Sequence, residues 1–156
     1  MLSFGPHDDW LRSAIIRFKY HGEWARKTHL GQLLVPILAG IGPLDAIVPV
    51  PLHPKRLSWR GYNQAALVAE VAGKTLGVPV LDVLARTRAT GQQVLLAPEE
   101  RHQNVAGAFV ATGAVTGHMV LLDDVITTGA TIGACREVLL AAGAARVTMV
   151  SLAHGG

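Results

Sequence analysis

Two adjacent carboxylates follow an apolar run near the C-terminal end of the chain. Residues 120–131 read VLLDDVITTGAT, in which a run typical of a buried strand ends in Asp123 and Asp124 and a short loop opens directly into a helical pattern. Ligands of open α/β sheets bind at the carboxyl ends of the strands. A helix N-terminus favours an anion through its N–H groups and its partial positive charge. The segment therefore predicts a site where carboxylates meet a phosphate.

The loop residues supply what such a phosphate needs. Gly129 lets the backbone approach closely, and the hydroxyls of Thr127, Thr128 and Thr131 are further donors. Two carboxylates would repel the phosphate unless they accept hydrogen bonds from sugar hydroxyls or help to place a divalent cation. A ribose 5-phosphate meets both conditions. The alternative is a solvated acid pair before an ordinary helix cap, which does not need three threonines.

A second segment carries positive charge. Residues 47–64 read IVPVPLHPKRLSWRGYNQ, and they predict a strand that ends in a proline-framed loop containing Lys55 and Arg56. Such a loop can bind a pyrophosphate through cations and backbone donors. Taken alone, a solvated basic turn explains the segment better, and Asn63 reads as a plain N-cap. Beside the acid pair we favour the pyrophosphate interpretation.

The spacing of glycines argues against a P-loop nucleotide-binding site. Gly73, Lys74 and Thr75 look like the end of a Walker A loop, and an apolar strand ending in two aspartates could be its Walker B partner. The Walker A pattern needs a glycine five positions before Gly73, and that position is Val68, in the middle of a helical pattern.

The 120–131 segment resembles the 5-phosphoribosyl-1-pyrophosphate (PRPP) motif of type I phosphoribosyltransferases. The resemblance implies that the acid pair, as the catalytic candidate, contacts the ribose hydroxyls and that the loop binds the 5-phosphate. The implied ribose and phosphate residues are Asp123, Asp124, Val125, Thr127, Thr128, Gly129, Ala130 and Thr131. The implied pyrophosphate loop comprises Pro51, Leu52, His53, Lys55, Arg56 and, just beyond it, Arg60.

Nearly the whole chain resembles one branch of that family, the competence-associated ComF/GntX-like phosphoribosyltransferase proteins. The resemblance rests on residues 48–65, on QQVLLAPEERHQNVAGAF (92–109), on the PRPP motif and on FKYHGEW (18–24). Many members begin with a four-cysteine zinc ribbon, which is not found in these 156 residues. We interpret the chain as a member without the ribbon or as a shortened one.

The resemblance implies transfer of phosphoribose from PRPP with release of pyrophosphate. Mg²⁺ would be held through PRPP, with Asp123 and Asp124 as additional candidates rather than as a complete protein-built metal site. A flexible loop over 86–104 would close over the reaction. Its candidate residues are Gln92, Gln93, Arg101 and Asn104. Purine-using relatives carry a carboxylate in the phosphate loop where this chain has Thr127, so the acceptor is not identified.

Three functions stay open at this point. The chain is an enzyme, a PRPP-binding component of DNA uptake that binds single-stranded DNA and a competence helicase, or a PRPP-sensing regulator. A homo-oligomer is compatible with each. Cations and rings alternate in the N-terminal segment, as single-stranded DNA binding would require, although core packing explains most of the rings more simply. These residues are Trp10, Arg12, Arg17, Phe18, Lys19, Tyr20, Trp24, Arg26 and Lys27.

Hydrophobic periodicity predicts an α/β fold with a mainly parallel sheet flanked by helices, like that of type I phosphoribosyltransferases. Helices are expected at 8–19, about 23–39, 61–77 and 129–143, and strands at 45–51, 78–84, 107–111, 118–124 and 145–153. Strand, helix and strand over 118–153 form a βαβ unit. We expect one domain over 1–156, with a helical hood at 1–44 and an α/β core at 45–156.

Composition excludes several classes of protein. Half of the residues are hydrophobic and 16% are charged, which excludes general disorder. The longest apolar stretch, 33–44, contains prolines and glycines and is too short to span a membrane. The N-terminus lacks the pattern of a signal peptide. The single Cys135 excludes an internal disulfide and predicts a cytoplasmic protein.

Overall fold

The computed structural model describes residues 1–20, 23, 25–87 and 107–155. The helices are α1 (Asp9–Tyr20), α2 (Arg26–Gly40), α3 (Pro54–Arg60), α4 (Gln64–Leu76) and α5 (Ala130–Ala141). The strands are β1 (Leu2–Pro6), β2 (Ala46–Pro49), β3 (Leu84–Arg86), β4 (Phe109–Ala111), β5 (His118–Ile126) and β6 (Arg146–His154).

Four parallel strands form the main sheet, in the order β1-β6-β5-β2. Strand β5 lies inside the sheet, and its apolar residues are buried as a central parallel strand requires. Strand β2 pairs with β5 from Ala46↔Met119 to Pro49↔Leu122. The N–H of Val50 then donates to the Leu122 carbonyl at 2.8 Å. The chain therefore leaves β2 directly beside Asp123.

Each face of the sheet carries its own core. On one face, α1, α2 and α4 pack against the sheet, and Val120 and Leu122 of β5 point toward them. On the other face, α5 and the antiparallel β3–β4 hairpin pack against Met119 and Leu121. Successive side chains of a strand point to opposite faces, so β5 contributes alternately to the two cores.

The expected fold class is confirmed, with differences in detail. Strand β1 was not predicted; it is short, half-exposed and contains glycine and proline, and it pairs with β6 at the edge of the sheet. The expected strand at 78–84 is reduced to an isolated bridge between Ile47 and Val80, followed by β3 at 84–86. Residues 107–111 do contain a strand, β4.

Helix α3 was also missed, because a proline-framed basic segment reads as a loop in isolation. His53 has extended backbone and its Nδ1 accepts a hydrogen bond from the Lys55 N–H at 3.2 Å, while Pro54 occupies the first turn. Gly61, with φ of 81°, ends the helix. Residues 73–75 lie inside α4, so they form no phosphate-binding loop.

None of the helices in the described ranges has the length and apolar character needed to cross a membrane.

Candidate functional site

A cavity of about 510 Å³ opens at the carboxyl ends of β2 and β5. The acid pair forms one side. The loop after β2, helix α3 and the first residues of α4 form the other. The C-terminal end of α1 and strand β3 complete it. The lining cations are Lys19, Arg56, Arg60 and Arg86.

The two acids lie on opposite sides of their strand. Alternation along β5 turns Asp123 toward the face that carries Leu121 and Asp124 toward the face that carries Leu122. Lys19 of α1 reaches Asp124, and its Nζ donates to Oδ1 at 2.9 Å. The two side chains are only 19% and 14% exposed, so solvent screens this pair weakly. The N–H of Asp124 donates to Asp123 Oδ1 at 2.8 Å.

Asp123 is held in an environment that disfavours its charge. Burial and, after it, the neighbouring Asp124 raise the pKa of Asp123 to about 7. Lys19, the Asp124 N–H and Arg86 oppose that rise. A group that donates hydrogen bonds to this carboxylate, or a cation beside it, would lower the pKa again.

The threonine loop encloses a smaller cavity of about 50 Å³ next to the first. Both cavities are lined by Asp123, Val125 and Thr131. By the same measure one water needs roughly 10–15 Å³, so a small anion has room. Gly129 has φ of 76°, a left-handed conformation that other residues rarely adopt, and it precedes α5 without any side-chain cap. Thr128 Oγ1 accepts from the Ala130 N–H at 3.4 Å.

The loop is shorter than expected. We expected β5 to end at Asp124, but it continues through Val125 and Ile126, which pair with Ala153 and His154. Thr127 is exposed at the first loop position. Thr127 and the other predicted residues of this loop, 128–131, all line the smaller cavity.

The predicted pyrophosphate loop is divided between a loop and a helix. Pro51 and Leu52 line the main cavity, followed by Arg56 and Arg60 of α3. His53 and Lys55 are not among the residues that line it. Lys55 was expected in a loop, and it lies instead in the first turn of α3.

Asn63 connects the end of strand β2 with the beginning of helix α4. Its Oδ1 accepts a hydrogen bond from the Ala65 N–H at 3.0 Å, so Asn63 is the N-cap of α4. This role was predicted for Asn63 from the segment taken alone. Its Nδ2 also donates to the Val50 carbonyl at 2.9 Å. The beginning of α4 is thereby tied to the end of β2, and both face the same cavity.

Lys19, Gln64 and Arg86 line the main cavity but were not recognised as site residues from the sequence. Lys19 was grouped with the N-terminal stripe of rings and cations, Gln64 with a helix, and Arg86 with the expected flexible loop over 86–104. The Arg86 guanidinium lies 5.3 Å from the centroid of the Phe109 ring. Burial and, after it, the neighbouring Arg56 lower the pKa of Arg86. No local signal in the sequence distinguishes these three.

A second cleft, of about 530 Å³, adjoins the main cavity and shares Lys19, Tyr20, Trp59 and Arg60 with it. We call it the aromatic cleft; its other lining residues are Lys27, Gly61, Tyr62 and Leu67. The Tyr20 and Trp59 rings are 6.2 Å apart and are 55% and 74% exposed. The Arg60 guanidinium lies 5.1 Å from the Tyr20 centroid. No acidic residue is among those lining it in the described chain.

The N-terminal stripe of rings and cations is divided by the fold. Phe18 is buried in the core against Tyr62, at 5.7 Å between centroids, whereas Trp10 packs edge-on against Phe4. Arg17 and Arg26 both pair with Glu23. Lys19, Tyr20 and Lys27 are the members that reach the aromatic cleft. The four candidates of the flexible loop, Gln92, Gln93, Arg101 and Asn104, lie outside the described residues, as does Trp24.

Sequence comparison connects this geometry to known proteins. Competence protein F of Haemophilus influenzae is 32% identical over 175 aligned residues, which include 99% of this chain and 72% of the relative. The chain belongs to the competence protein F family.

Other relatives agree with this membership. Competence protein ComFC of Streptococcus pneumoniae is 30% identical over 139 residues, which cover 87% of this chain and 60% of the relative. The DNA utilization protein YhgH of Escherichia coli K12 is 40% identical over 105 residues, or 66% of this chain. The chain spans about half the length of the YhgH relatives, 46% of each. No family model matches the chain.

This chain has the fold of a type I phosphoribosyltransferase. The glutamine PRPP amidotransferase of Bacillus subtilis, in complex with ADP and GMP, superposes with a TM-score of 0.55 over 80% of this chain and 25% of the larger protein. The two are 24% identical, so this likeness concerns the fold alone.

Proposed function

We propose that the chain binds PRPP at the carboxyl ends of β2 and β5 and transfers its phosphoribosyl group to an acceptor, with release of pyrophosphate. One observation carries the proposal. The acid pair and the cations of α3 line the same cavity, and the threonine-loop cavity adjoins it through Asp123. A ligand with a diol between two phosphate-bearing ends matches that order of groups.

The charges of the cavity support an anionic ligand despite the two aspartates. Lys19 neutralises Asp124 through their 2.9 Å ion pair, and the raised pKa of Asp123 reduces its negative charge near neutral pH. Arg56 and Arg60 line the opposite wall. The pyrophosphate end of PRPP would lie toward these arginines and the 5-phosphate toward Gly129 and α5.

The residues present fit a magnesium ion brought by the ligand. Mg²⁺ binds oxygen, and in phosphate-transfer sites it uses one or two carboxylates together with substrate phosphates. Asp123 and Asp124 are the carboxylates that line the cavity. The described part of the chain holds no group of three or more potential metal ligands, so the ligand and water would complete the coordination. Bound in this way, the metal would stabilise negative charge on the diphosphate.

The transfer itself needs charge stabilisation more than proton chemistry. The bond from the ribose anomeric carbon to the pyrophosphate oxygen breaks, the electron pair leaves with pyrophosphate, and an acceptor atom forms the new bond to that carbon. Arg56 and Arg60 would stabilise the growing negative charge, and the nearby carboxylates would favour the positive charge on the sugar. Thr127 offers no carboxylate as a base for the acceptor.

Calorimetric titration with PRPP, with and without Mg²⁺, tests this proposal. We expect binding that strengthens in Mg²⁺, followed by pyrophosphate release when a matching nucleobase or other acceptor is supplied. Ribose 5-phosphate, which lacks the diphosphate, serves as the matched ligand. Binding without release over a broad acceptor panel would support PRPP sensing instead of transfer. Absence of PRPP binding under both conditions would refute the assignment.

A second candidate function is binding of single-stranded DNA in the aromatic cleft. Exposed rings together with Lys19, Lys27 and Arg60 combine base stacking with phosphate contacts. The names of the relatives, competence protein F and DNA utilization protein YhgH, favour the same function.

Replacement of Trp59 tests this second candidate. We expect Trp59→Ala to weaken binding of a fluorescent oligothymidylate by roughly tenfold at constant salt, because one stacked base contributes about 1–3 kcal/mol. Trp10→Ala is the control, since Trp10 is exposed but lies outside the cleft. Wild-type affinity should fall steeply with salt. Equal effects of the two variants, or no binding at low salt, would exclude the cleft.

A further inference from the structure

Within the described residues, two buried side-chain donors beside the main cavity have no acceptor. They are Arg60 Nε and Gln64 Nε2, and both residues line the cavity. Gln64 is the sharper case, because its residue is only 1% exposed. Buried polar groups in native proteins are nearly always paired, and leaving one unpaired is destabilising. An unpaired amide at a cavity wall indicates a ligand that supplies the acceptor.

The position of Gln64 is set by the residues around it. Gln64 is the first residue of α4, and Asn63 caps that helix while holding the Val50 carbonyl. The backbone is therefore attached both to the helix and to the end of β2. This places Gln64 at the wall of the cavity, with the N-terminus of α4 beside it.

The chemistry of this corner selects the ligand group. Both unpaired groups donate, Arg60 is a cation, and the N-terminus of α4 adds partial positive charge. The fitting partner is an anion rich in acceptor oxygens. The corner belongs to the main cavity, which Arg56 and the acid pair also line, and neither Arg60 nor Gln64 is among the residues that line the threonine-loop cavity. The smaller cavity, where we expect the 5-phosphate, is therefore lined by a different set of donors.

We propose that Gln64 Nε2 and Arg60 Nε bind the phosphoryl oxygens of a diphosphate, and that Gln64 makes the cavity prefer ligands with a diphosphate over ligands with a monophosphate alone. The inference rests on the proposed function, because it assigns a residue to the pyrophosphate end of PRPP. Phosphoryl oxygens also occur in a nucleic-acid strand. A group that is 1% exposed is reached by a small anion entering the cavity more readily than by a polymer.

Replacement of Gln64 by methionine tests the proposal, because methionine keeps the length and volume of the side chain and removes the donor. For Gln64→Met we expect calorimetry to show dissociation constants for pyrophosphate and PRPP that are raised by roughly tenfold or more. The dissociation constant for ribose 5-phosphate should not change. The same variant without ligand should melt about 2–4 °C higher, because the unpaired donor is gone. Weaker binding with greater stability distinguishes ligand contact from a structural role.

Gln32→Met is the matched control. Gln32 is exposed on α2, where its Nε2 donates to Thr75 Oγ1 at 3.1 Å. We expect this variant to bind all three ligands as the wild type does. In the unaltered protein, pyrophosphate should also shift the side-chain amide resonances of Gln64 in ¹⁵N-correlated NMR spectra, which tests the contact even if the Gln64 variant does not fold.

The outcomes separate this inference from the proposed function. If the wild type binds pyrophosphate in a Gln64-dependent way but does not bind PRPP, the subsite stands and the proposed function fails. Equal losses for pyrophosphate and ribose 5-phosphate, an unmoved Gln64 amide resonance, or no pyrophosphate binding would overturn the inference. So would a loss confined to oligothymidylate binding, which would assign the two donors to a nucleic-acid strand.

Discussion

The two walls of the main cavity are built in different ways. One wall is a continuous segment in which β5, the threonine loop and α5 follow each other within residues 118–141. The other wall is assembled from α1, the loop after β2, α3 and the start of α4, which are distant in sequence. The continuous wall presents carboxylates and hydroxyls, whereas the assembled wall presents cations and an amide.

The two walls differ in whether local sequence or tertiary packing positions their functional groups. In the continuous wall, strand burial and helix initiation place the functional groups by themselves. In the assembled wall, each group depends on packing between elements, as when Lys19 reaches Asp124 across 105 positions of sequence. Variants of the two walls should therefore differ in whether they alter ligand binding, folding stability or both.

The largest effect is expected from removal of both charges of the continuous wall. Asp123→Asn combined with Asp124→Asn should weaken Mg²⁺-dependent PRPP binding by at least about 100-fold, since each carboxylate bonded to the ligand contributes about 1.5–3 kcal/mol. Calorimetry measures this, and circular dichroism checks that the fold is intact. Asp82→Asn, at an exposed residue outside both cavities, is the control. Undiminished affinity in the double variant would contradict the assignment.

The next effect concerns the contact that joins the two walls. Lys19→Met should lower the free energy of unfolding at pH 8 by about 3 kcal/mol, because it leaves the mostly buried Asp124 without its cation. Urea denaturation measures this change, with Lys74→Met, at an exposed position, as the control. A change within experimental error would mean that the ion pair behaves like an ordinary surface pair and that the walls are independent.

A smaller effect should depend on pH. The pKa of Asp123 is raised to about 7 in the folded protein from 3.8, so the folded state binds more protons than the unfolded state between these values. The contribution of Asp123 to the free energy of unfolding is therefore most favourable at or below about pH 4, and it is lost as the pH rises through 7. Asp123→Asn removes that loss, and it should raise the free energy of unfolding at pH 8 but hardly at pH 4.

Urea denaturation of Asp123→Asn and wild type at both pH values checks this expectation. A stabilisation that is equal at pH 4 and pH 8 would show that the carboxylate charge is not its source.

The smallest effect concerns the turn that opens α5. Gly129→Ala should cost about 1 kcal/mol of stability, because alanine is strained at φ of 76° although its Cβ would meet no neighbouring atom. Thermal unfolding measures the loss. Gly133→Ala is a suitable control, since this glycine is helical and equally open, and alanine should stabilise it slightly. Equal changes in the two variants would remove the conformational argument for Gly129.

The elements predicted most closely were those with strong local patterns. Helix α1 was expected at 8–19 and lies at Asp9–Tyr20, and α5 was expected at 129–143 and lies at Ala130–Ala141. The weakest predictions concerned short segments without a periodic pattern. Strand β1 and helix α3 were missed because β1 depends on pairing with β6 and α3 carries no buried residue. The same limit applies to residues such as Gln64, whose helix was expected but whose amide environment was not.

By itself the sequence determined the fold class and the continuous wall, because an apolar run, two acids and a glycine–threonine turn act on their immediate neighbours. It also placed a basic segment after another strand. Only the tertiary structure decided that Lys19 pairs with Asp124, that Arg86 enters the cavity and that Gln64 lacks an acceptor. These depend on strand register and on packing of α1 and α4 against the sheet, and such contacts between distant segments leave no periodic signal in the chain.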